Sequence, residues 1–158
     1  SLTGEVDFHT LETVGDELYG ADSGSGDLMY SSDGGKSWVK RGKNTFMDIA
    51  PNPTRKASVL AVQNGKLYRS TDAFKSTKLV KTSFVVESID WIKGSLIASS
   101  GKVLYRSTDS GTTWKKVSTL SSQIGTITQS SQLIAVVMGS AIYSSSDGGK
   151  SFKKYQSK

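Results

Sequence analysis

Ser31-Ser32-Asp33-Gly34-Gly35-Lys36-Ser37-Trp38 is the segment that decides the fold, because the chain repeats it three more times. The other copies are Ser70-Thr71-Asp72-Ala73-Phe74-Lys75-Ser76-Thr77, Ser107-Thr108-Asp109-Ser110-Gly111-Thr112-Thr113-Trp114 and Ser145-Ser146-Asp147-Gly148-Gly149-Lys150-Ser151-Phe152. Their aspartates lie 39, 37 and 38 residues apart. A period of about 40 residues with several short strands per repeat is typical of a propeller blade. We call the four segments the aspartate turns.

The residues between the aspartate turns indicate short strands. Alternating apolar and polar residues lead into the turns, as in Leu67-Tyr68-Arg69 and Leu104-Tyr105-Arg106, which is the pattern of a half-exposed strand. Another strand follows each turn, for example at 38–41 and 114–117. Two earlier runs complete each repeat, at 8–13 and 17–21, 46–50 and 59–62, 85–91 and 96–99, and 124–128 and 133–137.

The sequence therefore predicts an all-β chain. No segment keeps a 3.6-residue period, so we expect almost no helix. The prediction is a single propeller domain of four tandem, four-stranded antiparallel blades, at approximately residues 5–43, 44–82, 83–119 and 120–158.

Each residue type in the aspartate turns has a structural reason. An Asp side chain accepts a hydrogen bond from a backbone N–H two residues on, Gly adopts positive φ, and hydroxyl groups bond to nearby backbone. The terminal aromatic ring fills apolar space between sheets. These structural positions are Ser31, Asp33, Gly35, Trp38, Ser70, Asp72, Ser107, Asp109, Gly111, Trp114, Ser145, Asp147, Gly149 and Phe152.

The second turn departs from this pattern. Ala73-Phe74 replaces the glycine pair, and Thr77 stands where the other turns have an aromatic residue. Two outcomes fit the sequence. Either Phe74 turns inward and fills the gap, or the edge of this blade is looser.

The S-x-D-x-G-x-T-W pattern resembles the Asp-box, or BNR repeat, of sialidases, sortilin-type receptors, xyloglucan-active glycoside hydrolases and photosystem II assembly factors. With Asp7-Phe8-His9-Thr10-Leu11 opening the first repeat, the chain is most similar to small exported bacterial BNR-repeat proteins labelled glycosyl hydrolases. The resemblance implies an extracytoplasmic location. It also implies that Asp33, Asp72, Asp109 and Asp147 lie away from the ligand face, and are not catalytic.

Propellers of this family usually have six or more blades, whereas this chain supplies four. Three arrangements fit: a four-bladed ring, part of a longer propeller, or two chains that complete an eight-bladed ring. Uncovered blade faces favour association, so of the three we favour part of a longer propeller that can self-associate through its open blade ends.

The charge distribution is asymmetric. Residues 1–35 carry eight acids and no Lys or Arg, while residues 36–158 carry twenty basic residues and six acids. One interpretation is a solubilising surface rich in lysine. The other is electrostatic attraction between the first repeat and a later one. No stripe of aromatic and basic residues is present, so nucleic acid is not an expected partner.

Several classes of function lack their residues. The chain has no cysteine, which excludes disulfides and thiolate metal sites. The longest apolar run, 133–138, is too short to span a bilayer. His9 is the only histidine, so we expect no metal site and no cofactor. Asp22-Ser23-Gly24-Ser25-Gly26-Asp27 lacks the spacing of a calcium loop and indicates a turn between the second and third strands.

Catalysis has no clear set of residues either. A sialidase clamps its substrate carboxylate with three arginines and uses a Tyr–Glu nucleophile pair. Arg69 and Arg106 occupy equivalent positions beside the turns, which leaves only Arg41 and Arg55. Glycoside hydrolysis requires two carboxyl groups at a defined separation, and the spacing of Asp48, Glu87 and Asp90 selects no pair. We therefore assign no catalytic residue.

The remaining hypothesis is a non-catalytic binding or scaffold propeller for a glycan or a protein. Alignment of the repeats gives His9, Asp48, Ser88 and Thr126 one shared position on the first strand. These residues could line a central channel and bind a ligand, or line a channel that holds only water. The alternative function is a sialidase-like glycosyl hydrolase whose active site is incomplete in this segment.

Overall fold

Sixteen β-strands make up the regular structure of the computed structural model, which describes residues 7–155. They form four antiparallel sheets of four strands each, and every sheet follows the order of the sequence. We number the sheets as blades 1 to 4. No helix occurs among the described residues. The prediction of an all-β chain of four-stranded antiparallel blades is confirmed.

The chain divides into two compact units, Ser1–Lys81 and Thr82–Lys158. Each unit contains two blades. In the first unit the strands are β1 (Phe8–Val14), β2 (Glu17–Asp22), β3 (Asp27–Ser31), β4 (Val39–Lys43), β5 (Asp48–Pro51), β6 (Val59–Gln63), β7 (Lys66–Ser70) and β8 (Lys78–Val80). The grouping of all four blades into a single domain stays a prediction.

The second unit repeats the same plan with blades 3 and 4. Its strands are β9 (Ser88–Ile92), β10 (Ser95–Ser100), β11 (Val103–Ser107), β12 (Lys115–Thr119), β13 (Thr126–Gln129), β14 (Ile134–Met138), β15 (Ala141–Ser145) and β16 (Lys153–Lys154).

The first strands of blades 2, 3 and 4 begin two or three residues later than the sequence predicts. The predicted runs include Phe46, Val86 and Ile124, which are all buried. These side chains pack into the core from the linker before the strand, and only an isolated backbone bond, such as Met47 N–H to the Val62 carbonyl at 2.8 Å, precedes the ladder. The apolar residues of these linkers serve the core, and in the sequence they could not be told from the start of a strand.

The four aspartate turns share one hydrogen-bond pattern. In the first turn, Ser31 Oγ donates to Asp33 Oδ1 at 2.8 Å and accepts the Gly35 N–H at 2.9 Å. Asp33 accepts the N–H and the hydroxyl of Ser37, at 2.9 and 2.6 Å. The same bonds recur around Asp72, Asp109 and Asp147.

The reach of the aspartates differs from the prediction. Each carboxylate accepts the N–H four residues on, not two. In the first turn Gly34 and Gly35 both have positive φ, 72° and 83°. Two consecutive residues in this conformation curl the backbone, so that the amide of Ser37 comes back to the Asp33 carboxylate.

Phe74 fills the gap that Thr77 leaves in the second turn. Its side chain is 3% exposed, and its ring stacks on Phe46 with centroids 5.3 Å apart and meets the edge of Tyr19 at 5.8 Å. Phe74 has a φ of 65°, which is strained for a residue with a Cβ atom. Full burial of the ring offsets this strain. Of the two outcomes that the sequence left open, inward packing is the one observed.

Within each unit the back face of one blade packs on the front face of the next. In the first unit the back face of blade 1 contributes Tyr19, Ala21, Leu28 and Tyr30, and the front face of blade 2 contributes Ile49 and Ala61. In the second unit Ile97 and Leu104 on the back of blade 3 meet Ile127 and Val136 on the front of blade 4.

A buried carboxylate joins blades 1 and 2. Glu17 is 5% exposed and accepts the hydroxyls of Tyr30 at 2.6 Å and Tyr19 at 3.3 Å. Both its oxygens also accept the backbone N–H of Ala57, at 3.0 and 3.1 Å. A buried carboxylate is costly unless it is well hydrogen-bonded, and these three donors satisfy Glu17 inside the core.

We predict that Phe74→Gly destabilises the protein although it restores the residue found in the other turns. Removing a buried Phe side chain costs about 3–5 kcal/mol, while relief of the left-handed strain returns only about 1–2 kcal/mol. The free energy of unfolding, measured with urea, should fall by about 1–4 kcal/mol. The matched control is Ser110→Gly, at an exposed position with a φ of 60°, which should change it by less than about 1 kcal/mol. An unchanged or higher stability of Phe74→Gly would contradict this account.

We also predict that Glu17→Ala lowers the free energy of unfolding by about 3 kcal/mol or more, because it leaves two buried hydroxyls and the partly buried Ala57 N–H without an acceptor. Urea unfolding measures this change. Asp16→Asn, on the exposed neighbouring side chain, serves as the control and should shift stability by no more than about 0.5 kcal/mol. Equal stability of the two variants would show that the buried cluster contributes nothing.

Candidate ligand-binding cleft

Strand direction gives each blade two different ends. The aspartate turns join the third and fourth strands, and the hairpins between the first and second strands lie at the same end, which we call the turn end. The loops between the second and third strands, and the linkers from one blade to the next within a unit, lie at the opposite end, which we call the loop end.

The aspartates of the turn end are occupied by structural hydrogen bonds. Bonds from the Ser37 and Ser76 hydroxyls are the main cause that lowers the pKa of Asp33 and of Asp72 to about 2. The hydroxyls of Thr113 and Ser151 lower the pKa of Asp109 and Asp147 even further below the ordinary range. A carboxylate held ionised by local donors is a poor general acid. These carboxylates are hydrogen-bond acceptors within the aspartate turns.

The residues predicted to line a channel lie at the loop end of their first strands. Asp48 pairs with Val62, Ser88 with Ser99, and Thr126 with Val137. In blade 1 the equivalent partner, Ala21, pairs with Thr10 and not with His9.

The ladder of blade 1 shifts between Phe8 and Thr10, which leaves His9 in a β-bulge. The shared position of the repeat alignment is therefore one residue off in this blade, because a bulge adds a residue that the alignment cannot see. Ser88 has a structural contact, since its Oγ accepts the N–H of Ile127 at 3.4 Å. A ligand role for His9, Asp48, Ser88 and Thr126 stays a prediction.

A cleft of about 380 Å³ opens at the loop end of the first unit. It lies between the loop after β2 and the linker from β4 to β5. Its lining residues are His9, Ala21, Asp22, Ser23, Asn44, Thr45, Phe46 and Met47. Concave sites with an apolar lining and a few polar groups are the usual form of a ligand site. We call this cavity the loop-end cleft.

The apolar lining of the cleft consists of two buried residues and one exposed side chain. Phe46 and Ala21 are buried, whereas Met47 is 74% exposed. The Met47 backbone is fixed, because its N–H donates to the Val62 carbonyl at 2.8 Å. A flexible, polarisable thioether side chain on a fixed backbone adapts to different apolar groups.

Asp22 shapes the wall of the cleft. Its carboxylate accepts the N–H of Asp7 at 2.8 Å, and the N–H and hydroxyl of Ser25 at 2.9 and 2.5 Å. The bond from the Ser25 hydroxyl is the main cause that lowers its pKa to about 2. Asp22–Asp27 is thus a turn closed by its own donors, as the sequence predicts.

One polar atom at the cleft lacks a partner. Asn44 Oδ1 is buried and accepts no hydrogen bond from the residues that the structure describes. Its backbone is held, because the Asn44 N–H donates to the Gly26 carbonyl at 2.8 Å. A buried carbonyl oxygen without a donor costs free energy, and a ligand N–H or O–H group relieves that cost only where the Asn44 side chain turns to expose the oxygen to the cleft. Sequence reasoning missed this residue, since no pattern marks a single linker asparagine.

Arg106 has a structural contact at the turn end of the second unit. Its Nη2 donates to the Gly148 carbonyl, in the aspartate turn of the next blade, at 3.0 Å. This geometry fits the interpretation of Arg106 as a residue of the turn end.

Within residues 7–155, no cluster of three His, Cys, Asp or Glu side chains is arranged to hold a metal ion. Over the same range, no helix is long and apolar enough to cross a membrane.

No protein-family model and no curated protein sequence matches the chain. Solved structures do. A structure of YCF48 bound to D1 peptide matches 87% of the chain with a TM-score of 0.65 and 17% identity. An ancestral GH74 enzyme matches 96% with a TM-score of 0.70 and 17% identity, and a nidogen/laminin complex matches 90% with a TM-score of 0.69 and 8% identity.

The chain spans only part of each of these neighbours, namely 50%, 24% and 60% of their lengths in the same order. At such low identity the likeness concerns the fold. The chain is therefore similar in fold to β-propeller proteins, and its four sheets are blades of that fold.

Proposed function

We propose that this chain is a non-catalytic binding module that holds a segment of polypeptide in the loop-end cleft. The observation that carries the proposal is the cleft itself, which is lined by the exposed Met47 side chain and by Asn44, whose buried Oδ1 accepts no hydrogen bond from the described residues. An apolar side chain of the ligand would pack on Met47 and Phe46. A ligand N–H would donate to Asn44.

Polypeptide fits this chemistry better than a glycan does. A peptide presents apolar side chains and backbone N–H groups at regular spacing, which matches one apolar surface and one acceptor. Binding to a largely preformed site costs less ordering, and the hydrogen bonds that the Met47 N–H and the Asn44 N–H donate hold the linker in place. The carboxylate of Asp22 at the same cleft is occupied by its own donors.

The state of the carboxyl groups supports a role without catalysis. Each described carboxyl group whose pKa departs clearly from its ordinary value is shifted downward. A glycosidase needs an acid whose pKa is raised. The Tyr30–Glu17 pair has the composition of a sialidase nucleophile pair, but it lies inside the core, with Tyr30 only 8% exposed.

The neighbours in fold add support by analogy. One of them is a structure of YCF48 bound to a peptide, and another is a complex of nidogen with laminin. The GH74 neighbour is an enzyme and motivates the alternative, a glycosyl hydrolase whose active site is incomplete in this segment. One fold can have unrelated functions. The proposal therefore rests on the cleft, and the neighbours are only consistent with it.

The proposal also covers the family of the chain, its location and its self-association. The four turns with their shared bonds support membership of the Asp-box (BNR) group, and an extracytoplasmic location follows from that kinship alone. Opposite charges in the first and last repeats support self-association through the end blades.

The test is a titration followed by NMR of backbone amides. The probes are a pool of blocked hexapeptides with central Leu, Met or Phe residues and, separately, xyloglucan and sialyllactose oligosaccharides. We expect the peptides to shift the amides of residues 9, 21–23 and 44–47 in a saturable way. Met47→Asp should weaken binding by at least about tenfold, because it removes about 1.5–3 kcal/mol of apolar contact.

Leu79→Asp is the matched control, since Leu79 is an apolar side chain of the first unit that is 54% exposed and does not line the cleft. It should bind the peptides as the unaltered chain does. Saturable shifts with an oligosaccharide alone, or peptide binding that is indifferent to Met47→Asp, would contradict the proposal.

A further inference from the structure

Where two successive blades pack together, one apolar position on each of the two contacting faces is almost completely buried. On the back face, Leu28 of blade 1 and Leu104 of blade 3 are 3% and 0% exposed. On the front face, Ile49 of blade 2 and Ile127 of blade 4 are 1% and 5% exposed. Each pair lies between two blades of one unit, so a covered blade face buries the side chain at this position almost completely.

The front face of blade 1 is not covered in this way. Leu11 pairs with Gly20, as Ile49 pairs with Ala61 and Ile127 with Val136, so it holds the front-face position. Leu11 is 46% exposed. Phe8 lies beside it in the space above Gly20, with its ring centroid 5.3 Å from that of Trp38. Phe8, Leu11 and Trp38 thus form an apolar surface that remains in contact with solvent.

The back face of blade 4 is the counterpart. Ile142 holds the position of Leu28 and Leu104 on the third strand, and it is 50% exposed. Ala135 and Val137 on the neighbouring strand are only partly buried. Large exposed apolar surfaces of this kind are typical of interaction sites.

Polar groups on the back face also have a defined partner inside the second unit. Ser88 Oγ and Asp90 Oδ2, on the back of blade 3, accept the N–H groups of Ile127 and Gln129 in blade 4, at 3.4 and 2.6 Å. On blade 4 the same positions hold Thr126 and Thr128, which are exposed. The Thr128 hydroxyl donates to Asp90 Oδ2 at 3.0 Å, and the exposed Thr126 hydroxyl can accept an N–H from the first strand of another blade.

The charges of the two end blades are complementary. The first repeat, residues 5–43, carries eight acids and four basic residues, whereas the last, residues 120–158, carries one acid and four basic residues. Lys153 and Lys154 of blade 4 and Asp7 and Asp16 of blade 1 are exposed. Opposite charges at the rim of an interface favour the encounter and orient it.

From these observations we infer that the chain binds a second copy head to tail, with the back face of blade 4 from one copy packed on the front face of blade 1 from the other. Ile142 of one copy then meets Leu11 of its partner, as Leu28 meets blade 2 within a chain. This pairing rests on the self-association named in the proposed function and specifies its surfaces. It is independent of the loop-end cleft.

The first experiment is light scattering of the chain and of two variants, Leu11→Lys and Ile142→Glu. The unaltered chain should exceed the monomer mass of 16.9 kDa in a concentration-dependent way and dissociate as salt rises. Each variant alone should associate at least about tenfold more weakly, because a charge replaces apolar contact at every head-to-tail junction. Leu79→Asp, equally exposed but outside both faces, should associate normally.

Mixing the two variants separates this pairing from others. A mixture retains one intact junction, between Leu11 of the Ile142→Glu chain and Ile142 of the Leu11→Lys chain, so the mixture should associate although neither variant does. Association that persists in both single variants, or is lost in only one of them, would overturn the head-to-tail pairing while self-association stood. A monomer at all concentrations up to about 1 mM, the range of very weak complexes, would overturn both and leave the two faces to further blades of a longer polypeptide.

Discussion

The structure depends on a short hydrogen-bond network that is repeated four times. In each aspartate turn a serine hydroxyl and an aspartate carboxylate bind backbone amides of the same segment, as Ser31 and Asp33 do with Gly35 and Ser37. These bonds are local, since each joins residues of one turn, and further bonds such as that from the Gly34 N–H to the Asp16 carbonyl at 2.9 Å tie the turn to the neighbouring hairpin. They also tolerate variation, since Phe74 takes a left-handed φ at the position where the other three turns have glycine.

This network divides the molecule into two ends with different capacities. At the turn end, the polar side chains that look most reactive in the sequence are occupied by bonds to their own backbone. At the loop end a few backbone bonds hold the linkers, Met47 is exposed to solvent, and Asn44 Oδ1 has no donor among the residues that the structure describes. The proposed ligand site therefore lies at the end opposite the aspartate turns.

Much of the fold could be predicted from the sequence because its cause is local and periodic. Turn residues and alternating strands depend on near neighbours, and four copies reinforce each other. The strand starts were less accurate, because Phe46 and Ile124 are buried by packing from linkers and not by strand pairing. The bulge at His9 shifted one predicted site residue by one position, since a bulge is a property of the pairing and not of either strand alone.

The candidate cleft and the buried cluster could not be predicted, for a different reason. Glu17 accepts a hydrogen bond from Ala57, which lies 40 residues away. Asn44 lines a cleft only because the loop after β2 forms the other part of its wall. Such contacts join different repeats, so no single repeat contains their signal. The exposed Leu11 and Ile142 belong to the same class, because their sequence positions match those of buried residues and only their exposure in the folded chain distinguishes them.

The central claim is that the four turn aspartates act as structural acceptors, which leaves ligand binding to the loop end. Carbon-detected NMR titration of the aspartate carboxyl groups tests it most directly. The account predicts that Asp33 and Asp72 titrate near pH 2, and Asp109 and Asp147 lower still. Because these folded-state pKa values lie below the unfolded value of about 4, the stability they contribute is present above pH 4 and is lost as pH falls toward 2. Titration of the four groups near pH 4 would contradict the claim, since free carboxylates at the turn end would be open to ligands.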